Sequence, residues 1–199
     1  MKKSPSRARP KTASKGGASK LRIIGGEWRS RQLPIIELDG LRPTTDRVRE
    51  TVFNWLSFEI PGARCLDLFS GSGALGLEAL SRGAKECTFV ELNRSVAQQI
   101  ERNLSTLQAS NGTVYNTDAL SFLQANPAPF DVIFLDPPFR KGLLEQVLPK
   151  LDERWLAANA YIYIERESEA QLSQLPDHWQ LKKEKRAGQL TFALYQVSA

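Results

Sequence analysis

Gly71, Gly73 and Gly76 in the stretch DLFSGSGALG have the spacing G-x-G-x-x-G, and Glu91 follows about 20 residues later. Such glycines allow a tight turn and close backbone approach to a ligand. An acid at the next strand end can accept hydrogen bonds from ribose hydroxyls. Strand, glycine turn, helix, strand and acid in that order point to an adenosine-containing cofactor, and NAD would use the same residues. Asp67 helps to discriminate. Four residues before Gly71, it would be repelled by a pyrophosphate but suits an ammonium. Asp118, after the third strand, can accept from an adenine amine or merely cap the helix that follows. S-adenosylmethionine carries an ammonium, a ribose and an adenine, and fits this set better than NAD.

A second stretch stands apart. Asp136-Pro137-Pro138-Phe139 follows the apolar run Val132, Ile133, Phe134, Leu135 without a spacer. A plain turn accounts for it in isolation, because the prolines end a strand and Asp136 can satisfy a nearby amide. Two buried-looking cysteines, Cys65 and Cys87, have no metal-like spacing, and His178 is the only histidine. No metal site or histidine-based acid and base system is expected, and His178 reads as a surface residue.

The elements that must position these groups alternate. Strands are expected at 64–69, 87–92, 113–117, 130–136 and 160–165. Between them lie the helical stretches ALGLEALSRG, SVAQQIERNLSTLQ, ALSFLQA and LLEQVLPKL. Alternation of this kind predicts parallel strands joined by right-handed crossovers, with helices on both faces. Near the end, WQLKKEKRAGQLTFALYQ reads as two strands around Ala187 and Gly188 that add an antiparallel edge. The fold class is therefore α/β and Rossmann-like, with a mostly parallel seven-stranded sheet and an antiparallel C-terminal hairpin. Before it, LRIIGGEWRSRQLPII predicts a hairpin around Gly25 and Gly26. The segment TTDRVRETVFNWLSFEI predicts an amphipathic helix with Val48, Val52, Phe53, Trp55 and Leu56 inward and a threonine cap. Three parts result: a tail (1–20), an N-terminal hairpin and helix (21–60) and a main domain (61–199).

Composition sets the outer bounds. The chain has 199 residues, 41% hydrophobic, enough for one sizeable core. No apolar run reaches the roughly 20 residues of a membrane span, and no apolar segment follows the N-terminal charges as in a secretory signal. A cytoplasmic protein is expected. The net charge is +5. Lys2, Lys3, Arg7, Arg9, Lys11, Lys15 and Lys20 account for all of it, and the remainder is near neutral. This Ser-, Pro- and Gly-containing tail is expected to be disordered. It serves either as a solubilising extension or as an arm that meets phosphates.

Four segments, LRIIGGEWRSRQLP, GLRPTTDRVRETVFNWL, CLDLFSGSGALGLEALSRGA and FLDPPFRKGLLE, carry a family resemblance when taken in this order. The chain resembles the bacterial 16S rRNA (guanine(966)-N2)-methyltransferases, within the class I S-adenosylmethionine-dependent methyltransferases. DPPF resembles their [DNS]-P-P-[YFW] motif. The likeness runs from residue 21 to the end. It implies an enzyme that methylates a guanine N2 amine in 16S rRNA, within the small ribosomal subunit or an assembly intermediate; nothing in the pattern demands a partner chain, and a monomer is expected. It further implies that Asp136 and the Pro137 carbonyl accept the two N–H groups of the amine, with Pro138 stiffening the loop. Phe139 would stack on the base, a contact worth roughly 1 to 3 kcal/mol. The cofactor set becomes Asp67, Phe69, Gly71, Gly73, Glu91, Leu92, Asp118 and Ala119. Thr44, Thr45 and Arg47 join it because the family's matching segment lies against the cofactor, although Thr44 could instead cap the helix.

Arg22, Trp28, Arg29, Arg31 and Arg42 form a basic set with an aromatic that could hold RNA phosphates and a base. Arg140 and Lys141 follow the DPPF loop and could position the target nucleotide, which must be flipped or unpaired to expose N2. Three alternatives use parts of the same pattern. A DNA adenine methyltransferase usually needs a further recognition domain, for which there is little room. A protein glutamine methyltransferase has no need of the arginines. A non-catalytic RNA-binding protein has no use for Asp136, Pro137 and Phe139 beside a cofactor turn.

Overall fold

The computed structural model describes residues 19–36, 44–125, 127–170, 172 and 175–198. Arg42 and the basic tail through residue 18 lie outside them, and Lys20 opens the first strand rather than ending the tail. In chain order the elements are β1 (Lys20–Arg22), β2 (Gln32–Pro34), α1 (Asp46–Trp55), β3 (Arg64–Asp67), α2 (Ala74–Ser81), β4 (Glu86–Val90) and α3 (Arg94–Leu107). There follow β5 (Gly112–Tyr115), α4 (Ala119–Phe122), β6 (Phe130–Leu135), α5 (Leu143–Val147), a 3-10 turn (Leu148–Lys150), β7 (Leu156–Glu167), β8 (Trp179–Ala187) and β9 (Leu190–Val197).

Seven strands form one sheet in the order β5-β4-β3-β6-β7-β9-β8, and β1 pairs with β2 separately. Strands β5, β4, β3, β6 and β7 are parallel, and β9 runs against its two neighbours. The C-terminal hairpin thus inserts its second strand next to β7 and leaves its first at the edge. Composition explains the choice. In β9 (LTFALYQV) almost every residue is buried, whereas in β8 (WQLKKEKRA) only Trp179 is. A charged strand at an edge also discourages pairing with another sheet.

Two apolar clusters cover the two faces of the sheet. On one face, α1 buries Val48, Val52 and Phe53, with Leu56 just past its end, and Trp55 stacks on Phe192 at 5.3 Å. Each such side chain contributes roughly 1.5 to 3 kcal/mol when fully buried. Every residue of α2 is buried. An amphipathic helix would leave one side wet, but the N-terminal segment covers that side. Glu78 of α2 accepts from the amides of Ile24 and Gly25, both at 2.8 Å, and Ser81 Oγ accepts from Trp28 N and donates to Gly25 O. Gly26 (φ +76°) lies so close to the end of α2 that a Cβ there would meet Ser81 O at 1.8 Å. The paired glycines are therefore a docking surface for α2 more than a tight hairpin turn. The strands they were expected to join are short and flank the loop 23–31.

Candidate active site

β3 is followed on one side of the sheet by β4 and on the other by β6. A crevice opens beyond the carboxyl ends of strands where their order reverses in this way. The crevice holds a cavity of about 900 Å³. Of the expected residues, Phe69, Gly71, Glu91, Leu92, Asp118, Ala119, Asp136, Pro138, Phe139 and Lys141 line it. Sequence reasoning missed Asn93, Arg94, Thr117 and Leu143, which together with the apolar Leu68, Val90 and Leu120 complete the wall. Asn93 caps α3 by accepting from Ser95 N and Val96 N, and it follows Glu91 closely enough to have been found.

The glycine turn is held by carboxylates. Asp67, at the end of β3, accepts from Gly76 N at 3.0 Å, one of the free amides at the start of α2. Its Oδ1 is buried without a hydrogen-bond partner. Burial raises the Asp67 carboxyl from 3.8 to about 7, against the pull of the Gly76 bond. Gly73 caps α2 in a left-handed conformation (φ +77°). Gly76 is needed for packing, since a Cβ there would meet the Phe89 ring at 2.2 Å and Cys87 Sγ at 2.8 Å. Both cysteines are buried and free, with burial pushing their thiols up.

Glu91 lies just past β4. Its two oxygens accept from Asn93 N at 2.7 Å and Gly71 N at 2.9 Å, so it ties the turn to the next strand end. Burial raises its carboxyl, and the two amides oppose the rise. Asp118 caps α4 through Ser121 N at 2.9 Å, and Ser121, by its hydroxyl first and its amide second, lowers the Asp118 carboxyl. It lines the cavity as well, so capping and ligand contact are both available to it.

Asp136 follows β6 directly. Thr44 donates to Asp136 Oδ2 at 2.8 Å and stands 3.2 Å from Glu165 Oε1. The Tyr163 hydroxyl donates to the same Glu165 oxygen at 2.7 Å. Glu165 is 3% exposed and was not singled out from sequence. Burial raises both carboxyls, and in Glu165 the Asp136 charge adds to the rise. Pro137 is buried, while Phe139 is 40% exposed at the cavity mouth. After it, Arg140 takes a left-handed φ of +59°, and its amide donates to Glu167 at 2.6 Å. The end of β7 therefore reaches the DPPF loop twice, from Glu167 directly to the Arg140 amide and from Glu165 by way of Thr44.

The N-terminal residues divide differently from expectation. Thr45, not Thr44, caps α1, accepting from Val48 N at 3.4 Å. Thr44, Thr45 and Arg47 are not among the residues that line the cavity, and Thr45 and Arg47 are exposed. Trp28 cannot stack on a base. It is buried in the core with Leu21, Ile23 and Leu33, and the loop 23–31 that carries it is docked on α2 through Glu78 and Ser81. Arg31 donates to Thr106 O in the last turn of α3, at the end of the sheet opposite the crevice. Arg29 is exposed in the same loop, and Arg22 pairs with Asp46 at 2.7 Å. Arg31 is thus held away from the crevice, whereas the partner of Arg22, Asp46, lies two residues from the Thr44 that bonds Asp136. His178 is exposed, as expected.

Residues 21–196 match the family described as Conserved hypothetical protein 95. The chain belongs to that family. It is 52% identical over 190 residues to Ribosomal RNA small subunit methyltransferase D of Escherichia coli K12, covering 95% of this chain and 96% of that protein. The protein of the same name from Haemophilus influenzae is 50% identical over 181 residues, covering 88% and 93%. Among solved structures, the methyltransferase yhhF of Escherichia coli has a TM-score of 0.83 at 53% identity and covers 91% of this chain and 99% of that one. The resemblance carried by the four sequence segments and the methyltransferase architecture expected from them are both borne out.

Proposed function

We propose that this protein transfers a methyl group from S-adenosylmethionine to the exocyclic N2 amine of guanine 966 in 16S rRNA, on the small ribosomal subunit or its assembly intermediate. The observation that carries the reading is the position of Asp136 and Phe139 on the wall of the same cavity as Gly71, Glu91 and Asp118. The described residues suit the cofactor. The buried Oδ1 of Asp67 lacks a partner and suits an ammonium. Each oxygen of Glu91 keeps accepting capacity for a ribose hydroxyl beyond its backbone bond. When bound, the cofactor supplies a methyl group on a sulfonium, a donor already activated.

The chain's own task is alignment. The guanine N2 lone pair is delocalised into the ring, so the amine is a poor nucleophile. Asp136 and the Pro137 carbonyl accept its N–H groups and favour a more pyramidal nitrogen, while Phe139 stacks on the base. Alignment of this kind can supply about 7 to 11 kcal/mol of the barrier. Asp136 is also the acceptor in place for the proton that the methylated nitrogen sheds. Arg140 and Lys141, beside the loop, meet the backbone of the flipped nucleotide.

The test has two parts. Transfer of labelled methyl to RNA, DNA and protein fractions, with N2-methylguanine mapped in rRNA from cells lacking the protein, identifies the substrate. Asp136→Ala should bind cofactor normally and lose methyl transfer, and Asp136→Asn should lose less because its amide oxygen still accepts. Near-native single-turnover rates in Asp136→Ala would return DPPF to the status of a turn.

A further inference from the structure

Thr44 has one hydroxyl hydrogen and two carboxyl oxygens within reach, Asp136 Oδ2 at 2.8 Å and Glu165 Oε1 at 3.2 Å. A hydroxyl donates once. With both acids ionised, one of these contacts would set oxygen against oxygen with no hydrogen between them, beside a Glu165 that is buried. A proton on Glu165 removes the conflict. Tyr163 then donates to Glu165 Oε1, Glu165 donates to Thr44 Oγ1, and Thr44 donates to Asp136 Oδ2, so that three hydrogen bonds point one way. Such chains strengthen one another in a low-dielectric interior.

We propose that Glu165, in its protonated form, is a positioning residue for methyl transfer: through Thr44 it fixes one oxygen of an ionised Asp136 and leaves the other to face the substrate amine. The proposal rests on the role of Asp136 given above.

The surroundings say which acid keeps the proton. Glu165 forms no ion pair among the described residues. From its own strand Tyr163 faces it, and from the end of β6 comes only the like charge of Asp136. The adjacent strand β9 sets Phe192 opposite. Arg166, next in sequence, is engaged elsewhere, with Ala170 O and Glu184. Asp136, by contrast, borders the open cavity, where an amine can offer it hydrogens. Burial and the neighbouring charge push the Glu165 carboxyl upward, in agreement with this assignment.

A purely structural Glu165 would affect folding and leave the pH dependence of the chemical step alone. A positioning Glu165 must do more. On the alkaline side it loses its proton, Thr44 is drawn between two charges, and the rate falls. Glutamine cannot ionise there, so Glu165→Gln should lose several-fold in rate but show no alkaline limb beyond the one that the guanine itself contributes. Glu165→Ala and Thr44→Val should each lower the single-turnover rate on the order of 100-fold, as for a misplaced reacting group. Both should keep KM and cofactor affinity near native, and Thr44→Ser should restore the rate.

Infrared difference spectra of the cofactor-free protein give a readout without activity. A protonated-carboxyl band present at neutral pH in the native protein should be missing in Glu165→Gln. No band difference, or an unchanged alkaline limb in Glu165→Gln, would overturn the proposal. If the native protein methylates no RNA, the assignment of function fails instead, and the infrared band still decides the protonation of Glu165.

Discussion

Asp67→Asn separates the cost of a buried charge from the helix contact that the same side chain makes. The asparagine oxygen can still accept from Gly76 N, but nothing ionises. In the native protein the carboxyl is raised from 3.8 to about 7. Its value in the fold thus lies above that in the unfolded chain. Between the two, the folded state holds a proton that the unfolded state has released, and stability falls as pH rises through that window. At about 1.36 kcal/mol per pH unit, the penalty is about 2 kcal/mol at pH 5 and about 4 kcal/mol at pH 8. The stability of Asp67→Asn relative to native should therefore increase by about 2 to 3 kcal/mol between these values, whatever fixed offset the substitution adds. Urea unfolding of both proteins at both pH values measures this. Saturating S-adenosylmethionine should stabilise the native protein more at pH 8 than at pH 5, because its ammonium meets an ionised Asp67, and the variant should lose that difference. A gap that stays constant from pH 5 to pH 8 would mean that Asp67 behaves as an ordinary carboxylate and is not held in reserve for a cation.

Other expectations follow from the same geometry. Glu91→Ala should weaken cofactor binding by about 1.5 to 3 kcal/mol for each charge-assisted hydrogen bond lost, as read by titration calorimetry. Trp28→Ala should destabilise the fold by about 3 to 5 kcal/mol in denaturant unfolding while leaving the salt dependence of RNA binding unchanged. Arg186 and Lys185 lie at the crevice end of the exposed edge strand β8, next to the turn that leads into β9. Their joint replacement by alanine should flatten the plot of log affinity against log salt by up to about 2. Arg31→Ala should change that slope little, since Arg31 lies at the far end of α3.

Much of the site was legible because its residues sit at strand ends, where a change from apolar run to glycine or acid marks both a boundary and a ligand-facing position. Asp67, Glu91, Asp118 and Asp136 were all found that way. Glu165 was not, although it too ends a run of buried residues. An acid at a strand end usually faces water, and only a partner distant in sequence keeps this one dry. Trp28 misled for a related reason. Residue type places an indole near arginines, but the direction of its side chain depends on the contact between Gly26 and Ser81, which links different parts of the chain. The cap moved from Thr44 to Thr45 because adjacent threonines are equivalent as sequence, and the pull of Asp136 on Thr44 decides between them. In the sheet, alternation revealed five strands and the terminal hairpin two more, and the apolar content of LTFALYQV explains afterwards why the last strand went inside.

The hydroxyl of Thr44 reaches partners 92 and 121 residues further along the chain. Contacts of such separation close large loops and form late in folding. During synthesis, then, the segment bearing Thr44 is among the first to emerge and among the last to find its place, waiting for the end of β7. Glu78 and Ser81, which dock the loop 23–31, are made much earlier. A nascent chain would complete its glycine turn and N-terminal cover before Asp136 is fixed. Competence for methyl transfer would come only as the last strands join the sheet.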